Sequence, residues 1–297
     1  VLMNFRIKCI MQTIFGMLPN SEQMNYVAQK YISKNLPPSR QMYHSKFIQA
    51  MEHHKSFVAH KSVDNAIVYE IGCGWHLAMA LVFSTLGYKR IKALDVNDHI
   101  RSELVNTIVR YLREDGKISV STIDIKENKM KGMLEDEFRI DLLIPGDSTQ
   151  TGMDDQSVDF IYSQEVFEHI EPVLLTPIMN ECHRVLKDDG LISFYINYAD
   201  HYCSIDKKIT PYNFLRYDDK KWKKYNPCLH YVNRLRHKDF LKIFQETGFK
   251  VLEETVYRPN GWEQMLKKFP LSEKFSDIYT LDEISITSAR IILQKRL

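Results

Sequence analysis

The chain has 297 residues, enough for one α/β domain with extensions, and its 44% hydrophobic and 26% charged residues support a sizeable core and exclude global disorder. A formal net charge of +2 excludes a uniformly basic nucleic-acid binder, although residues 201–240 hold ten Lys/Arg against four Asp. The cysteines Cys9, Cys73, Cys182, Cys203 and Cys228 form no C-x-x-C pair and no zinc-finger spacing, so a reduced, cytoplasmic setting is expected.

Residues 1–62 read as a helical extension with breaks at Pro19 and at Pro37-Pro38. Its start, "VLMNFRIKCIMQTIFGML", is apolar but interrupted by Arg6 and Lys8, so no transmembrane segment is expected. It also lacks a small-residue cleavage site, which argues against a signal peptide. The simpler reading is an amphipathic helix that caps the domain, and the alternative is a membrane-surface anchor.

From residue 66 strands and helices alternate. "AIVYEI" is a short apolar strand, "HLAMALVFSTLG" a helix closed by Gly87, and "RIKALDV" a second strand. A helix over 98–114 stops at Asp115-Gly116, and "RIDLLIPGD" and "SVDFIYSQ" supply strands three and four. "TPIMNECHRVLKDDG" is a helix with a turn, "LISFYINY" a fifth strand, and "RHKDFLKIFQETGF" an amphipathic helix. "KVLEETVYR" and "SARIILQKR" complete seven strands. The expected fold is α/β: a doubly wound, mostly parallel, seven-stranded Rossmann-like sheet over 63–297. Residues 198–235 break the alternation, and an insertion of that length beside a strand end is expected to wall the substrate site.

The turn "YEIGCGWH" joins the first strand to a helix, so its bare backbone and the positive helix end suit a nucleotide-like ligand. No third glycine follows as the helix opens, which disfavours a dinucleotide phosphate and hence NAD. Asp95 ends the second strand 21 residues after Gly74, where a carboxylate can accept from both ribose hydroxyls. Asp147 in "IPGDS" ends the third strand, where a carboxylate can accept from an exocyclic amine. "SVDFIYSQEVFEHI" then runs the fourth strand into a turn rich in acids and His.

These segments, in this order, resemble the class I S-adenosylmethionine-dependent methyltransferases. "YEIGCG", "ALDV", "PGDS" and "VDFIYSQEVFEHI" look like their first four motifs, and "VLKDDGLISFYI" like the helix–turn–strand that follows. The resemblance covers about residues 60–200 and the final strands. It implies S-adenosylmethionine as cofactor. Glu70, Gly72 and Gly74 would shape its methionine end, Asp95 would hold ribose and Asp147 would reach adenine, with Ser148 and Gln164 beside them. His76 stands where a third small residue is usual and receives no chemical role.

Glu165, Glu168 and His169 lie at i, i+3 and i+4, a spacing that one helical turn brings to one side. This E-x-x-E-H segment is similar to that of ubiquinone-pathway O-methyltransferases and small-RNA 2′-O-methyltransferases, which use it to hold a metal. With His201, from Asp200-His201 after the fifth strand, it reads as a four-ligand site for Mg or Mn. The alternative is a metal-free turn in which His169 or His201, aided by Glu165, removes the acceptor proton.

The stretch "KKITPYNFLRYDDKKWKKYN" interleaves Tyr212, Phe214, Tyr217, Trp222 and Tyr225 with Lys and Arg. Aromatic stacking and cationic groups would suit a sugar or phosphate-bearing acceptor, with a solvated basic flap as the plainer reading. "NRLRHKDF" reads as a capped surface helix with a basic start, and the four His between 44 and 60 as surface or packing residues.

The expected function is methyl transfer to a hydroxyl of a sugar or glycan-related small molecule, by loose resemblance to bacterial glycan and secondary-metabolite methyltransferases. A small phenol or quinone is the alternative acceptor. RNA 2′-hydroxyl methylation is disfavoured by the near-neutral charge. A non-catalytic cofactor-binding protein remains the reading of a different class, favoured if His76 or the insertion fills the methionine pocket.

Overall fold

The computed structural model describes residues 4–18, 21–32, 36–119 and 124–296. Three helices precede the sheet: α1 (Phe5–Met17), α2 (Ser21–Val27), which runs on into a π-helical turn, and α3 (Arg40–Val58). The break expected at Pro19 lies outside the described residues, whereas the Pro37-Pro38 break falls between α2 and α3. Among the described residues no helix is long and apolar enough to cross a membrane.

Strands β1 (Ile67–Ile71), β2 (Arg90–Leu94), β3 (Ile140–Leu143), β4 (Val158–Gln164), β5 (Leu186–Asn197), β6 (Phe249–Tyr257) and β7 (Ser288–Lys295) form one sheet, in the order β3-β2-β1-β4-β5-β7-β6. β7 alone runs against the rest. The expected seven-stranded, mostly parallel, doubly wound sheet is therefore observed. Helices α4 (Ala78–Ser84), α5 (Ser102–Glu114), α6 (Met130–Phe138) and α7 (Pro172–Val185) lie in the crossovers. The expected helix-plus-turn over 176–190 ends sooner, because Leu186 already pairs with Val158 across a bulge.

Side chains along each strand alternate between two cores. Val68, Ile91 and Phe160 pack with α3, α4, α5 and α6, whereas Tyr69, Leu94 and Ile161 pack with α7 and α9 (His237–Glu246). Helix α3 is built into this cover: Tyr43, Ala50, His53 and Phe57 are all buried.

The 198–235 segment is a chain of short turns including α8 (Asp219–Trp222), and it departs from expectation. Tyr212, Phe214, Tyr217 and Trp222 are buried in a third core with Phe5 and Cys9 of α1 and with Leu266, Phe275 and Ile284 of the short helices α10 (Trp262–Lys267), α11 (Glu273–Ser276) and α12 (Leu281–Ser285). The aromatic residues are core, not a stacking platform, because this insertion lies outside both faces of the sheet and needs apolar mass of its own. The basic "NRLR" is likewise internal. Arg236 donates to the carbonyls of Tyr198, Ile284 and Ile286, and Arg234 to those of Phe214 and Tyr217. The surface reading of that stretch is corrected: its guanidinium groups satisfy carbonyls that irregular chain leaves unpaired.

Candidate functional site

The strand order reverses between β1 and β4, and a cavity of about 1050 Å³ opens at the carboxyl ends of the strands there. Its wall includes Glu70, Gly72, Gly74, Trp75 and His76 from the first turn, Asp95 after β2, and Gly146, Asp147 and Ser148 after β3. Gln164, Glu165 and His169 follow from the end of β4. The N-terminal helical segment closes the far side with Gln29, Leu36, Met42 and Lys46. No pattern in the sequence marked these four, since residues that precede the sheet in the chain reach a strand end only through packing.

The first turn is built for close approach. Gly72 has φ +79°, and a Cβ there would stand 2.5 Å from Val166 Cγ2. Gly74 has φ +67° and open space where a Cβ would be. Its N–H donates to Asp95 Oδ2 at 2.9 Å, which fixes that carboxylate at the cavity wall. Asp147 is held from the side by Thr149, whose N–H and Oγ1 donate to Oδ1; these bonds lower its pKa. His76 turns back on the chain: Nδ1 accepts the Ala78 N–H at 3.2 Å, near the start of α4. Burial pushes its pKa down to about 4, so it stays neutral in that role. Neither His76 nor the 198–235 segment fills the cavity.

Glu70 is buried, and its Oε2 has no hydrogen-bond partner among the described residues. Burial pushes its pKa up to about 8. An orphaned acceptor on a cavity wall is the place for a cationic ligand group. Gln164 is oriented from behind by His53, whose Nε2 donates to Gln164 Oε1 at 3.1 Å in the tautomer whose Nδ1 faces Ser193 Oγ at 2.7 Å. His53 is thus a buried packing residue that positions a cavity side chain.

The acid–imidazole cluster takes a different shape from the one-turn expectation. Glu165 has φ +58° at the end of β4, and only Phe167–His169 forms a short 3-10 turn. Glu165 therefore turns away to Lys46 (3.8 Å) and Asn197 Nδ2 (3.5 Å). Glu168, His169 and His201 do converge: one ligand atom from each lies within 4.8 Å of the others. His169 Nδ1 donates to the Tyr231 carbonyl at 2.7 Å, which leaves Nε2 free. His201 Nε2 and both carboxylate oxygens of Glu168 are buried with no hydrogen-bond partner among the described residues. Burial holds His201 at about 4 and raises Glu168 well above the usual carboxylate range.

Sequence reasoning missed His230, whose ring lies 5.9 Å from that of His201 and whose Nε2 is also orphaned. It gave no local signal, because the juxtaposition is made by the fold of the insertion. That insertion meets the site from behind. Asn233 Nδ2 donates to the carbonyls of Phe167 and Ile170, so it clamps the turn that carries Glu168 and His169. Of the converging three, His169 lines the cavity, and Glu168 and His201 stand behind it.

Residues 105–194, from α5 through β5, match a family model described as a methyltransferase domain. No curated relative matches the sequence. Among solved structures, the chain is similar to a SAM-dependent methyltransferase of Methanosarcina mazei, at 16% identity, covering 81% of this chain and 96% of that one, with a TM-score of 0.48. It is similar to a phosphoethanolamine N-methyltransferase of Haemonchus contortus, at 13% identity, over 84% of this chain and 52% of that one, TM-score 0.48. It is also similar to the [4+2]-cyclase SpnF, at 12% identity, over 84% and 82%, TM-score 0.48. At these identities and TM-scores the likenesses bear no weight for activity.

Proposed function

We propose that the chain transfers the methyl group of S-adenosylmethionine to a hydroxyl. The observation that carries this reading is the run Glu70–Gly72–Gly74–Asp95 on one cavity wall, with Asp95 held by the Gly74 N–H at 2.9 Å. Asp95 offers acceptors to a ribose, Asp147 to an adenine amine, and orphaned Glu70 to the cationic methionine end. The methyltransferase-domain match over 105–194 supports the same reading. Calorimetric titration with S-adenosylmethionine, its demethylated product and NAD tests it; binding of NAD alone overturns it.

Transfer is an in-line displacement in which the acceptor oxygen forms the C–O bond as the C–S bond breaks, so alignment supplies much of the rate. The hydroxyl must also lose a proton. Where no ion occupies the cluster, His169 is suited to take it: Nδ1 is committed to the Tyr231 carbonyl, Nε2 is free, and desolvation lowers its pKa.

The orphaned oxygens of Glu168 and the orphaned Nε2 of His201 fit a divalent cation, since both are costly to bury unsatisfied. Glu168, His169 and His201 would hold it. When bound, it would lower the hydroxyl pKa as a Lewis acid. Glu165, read as one of the four ligands, stands apart at Lys46 and lines the cavity wall instead. The sugar acceptor rested on an aromatic platform that proves to be core, so the proposal keeps only the hydroxyl.

A further inference from the structure

We propose that α1 docks on an anionic lipid bilayer surface through a stripe of six apolar side chains that the fold leaves in solvent. The helix has two apolar faces. Phe5 and Cys9 are buried, and Gly16 lies so close to the insertion that an added Cβ would stand 2.7 Å from Cys228 Sγ. Opposite them, Ile7, Ile10, Met11, Ile14, Met17 and the C-cap Leu18 are between 37 and 79% exposed. At about 100° per residue these six span an arc of roughly 120°. One apolar face is what packing requires, and the second is unaccounted for by the core.

Charge decides the occupant. α1 contains no acidic residue; Arg6 borders the stripe on one side, whereas Lys8 on the other turns its ammonium back over the Tyr202 ring. The turn packed against α1 carries Lys223 and Lys224, preceded by Lys220 and Lys221; all four are exposed, and none makes an ion pair among the described residues. The nearby acids are engaged, Asp218 in capping α8 and Asp219 with Arg234 and Lys274. Aliphatic side chains entering the acyl boundary, with unpaired cations at headgroup level, match an anionic membrane interface. A protein partner would favour Trp, Tyr or Arg anchors, which the stripe lacks. A second copy on a two-fold axis would press like lysine clusters together.

The test is co-sedimentation of the full chain with vesicles of phosphatidylcholine mixed with phosphatidylglycerol, and of phosphatidylcholine alone. Binding to the mixed vesicles is expected, weaker on neutral ones and weakened by salt. I10E/I14E should lose about tenfold or more in partitioning, with an unchanged circular dichroism spectrum and S-adenosylmethionine affinity. K223E/K224E should erase the preference for anionic vesicles. No binding to the mixed vesicles, or equal binding by I10E/I14E, overturns the proposal. So does light scattering that shows a dimer which I10E/I14E splits, since the stripe would then serve self-association.

Discussion

Nε2 of His201 stands 3.9 Å from Oε1 of Glu168, and neither atom has a hydrogen-bond partner among the described residues. A hydrogen bond would be shorter, and two orphaned groups of opposite preference facing each other leave room for something between them. The protein purified without chelator is expected to carry a divalent ion by elemental analysis. Glu168→Gln or His201→Ala should lower its affinity more than tenfold, since even outer-shell partners cost roughly 10–100-fold. Chelation should lower the thermal midpoint, and Mg or Mn should restore it. Full activity in excess chelator, with no ion bound, would leave His169 as the base.

Asp95→Ala should weaken S-adenosylmethionine binding by about 2–4 kcal/mol, because two charge-assisted hydrogen bonds to ribose are lost. The fold should survive, as Asp95 is a partly exposed strand-end residue. Unchanged affinity in a folded variant would remove Asp95 from the ribose site.

Glu70 sets a pH dependence. Its folded pKa of about 8 lies above the unfolded value, so the folded state holds the extra proton between about 4.5 and 8. Its contribution to stability is whole below that window and is lost as pH rises through it; Glu70→Gln should flatten the trend. A cationic ligand favours the carboxylate, so S-adenosylmethionine binding at pH 7 should release a proton and tighten as pH approaches 8. Calorimetry in buffers of different ionisation enthalpy reads the proton, and none should be released by Glu70→Gln.

Trp222→Ala should act on stability and not on the acceptor. Trp222 is 3% exposed and packs against Phe214 and Tyr217. Truncation of such a side chain costs about 3–5 kcal/mol. Denaturant unfolding should show that loss, with S-adenosylmethionine affinity retained where the protein is folded. A raised acceptor KM at unchanged stability would return the residue to the substrate site.

The framework of the site was legible because it is local. Short, continuous apolar runs mark the buried strands, glycines mark the turn after β1, and a strand end fixes where Asp95 and Asp147 emerge. Each of these depends on a few consecutive residues, so the strand–turn–helix order and the cavity's acidic rim follow from the chain alone.

What tertiary structure decided is every property that depends on a distant partner. Glu165, Glu168 and His169 have helical spacing, yet a left-handed Glu165 separates the first from the others, because β4 runs on as far as Gln164. Trp222 and Arg236 look like surface residues by composition, but the insertion needs an apolar core and donors for its unpaired carbonyls. Lys46 and His230 reach the site only because α3 and the insertion fold against it. In α1, apolar residues lie on two faces, and only packing against the insertion, through Tyr202, Tyr225 and residues 228–230, determines which face is buried and which meets solvent. Sequence spacing specifies direction along one element, whereas burial and charge balance are set by what packs against it.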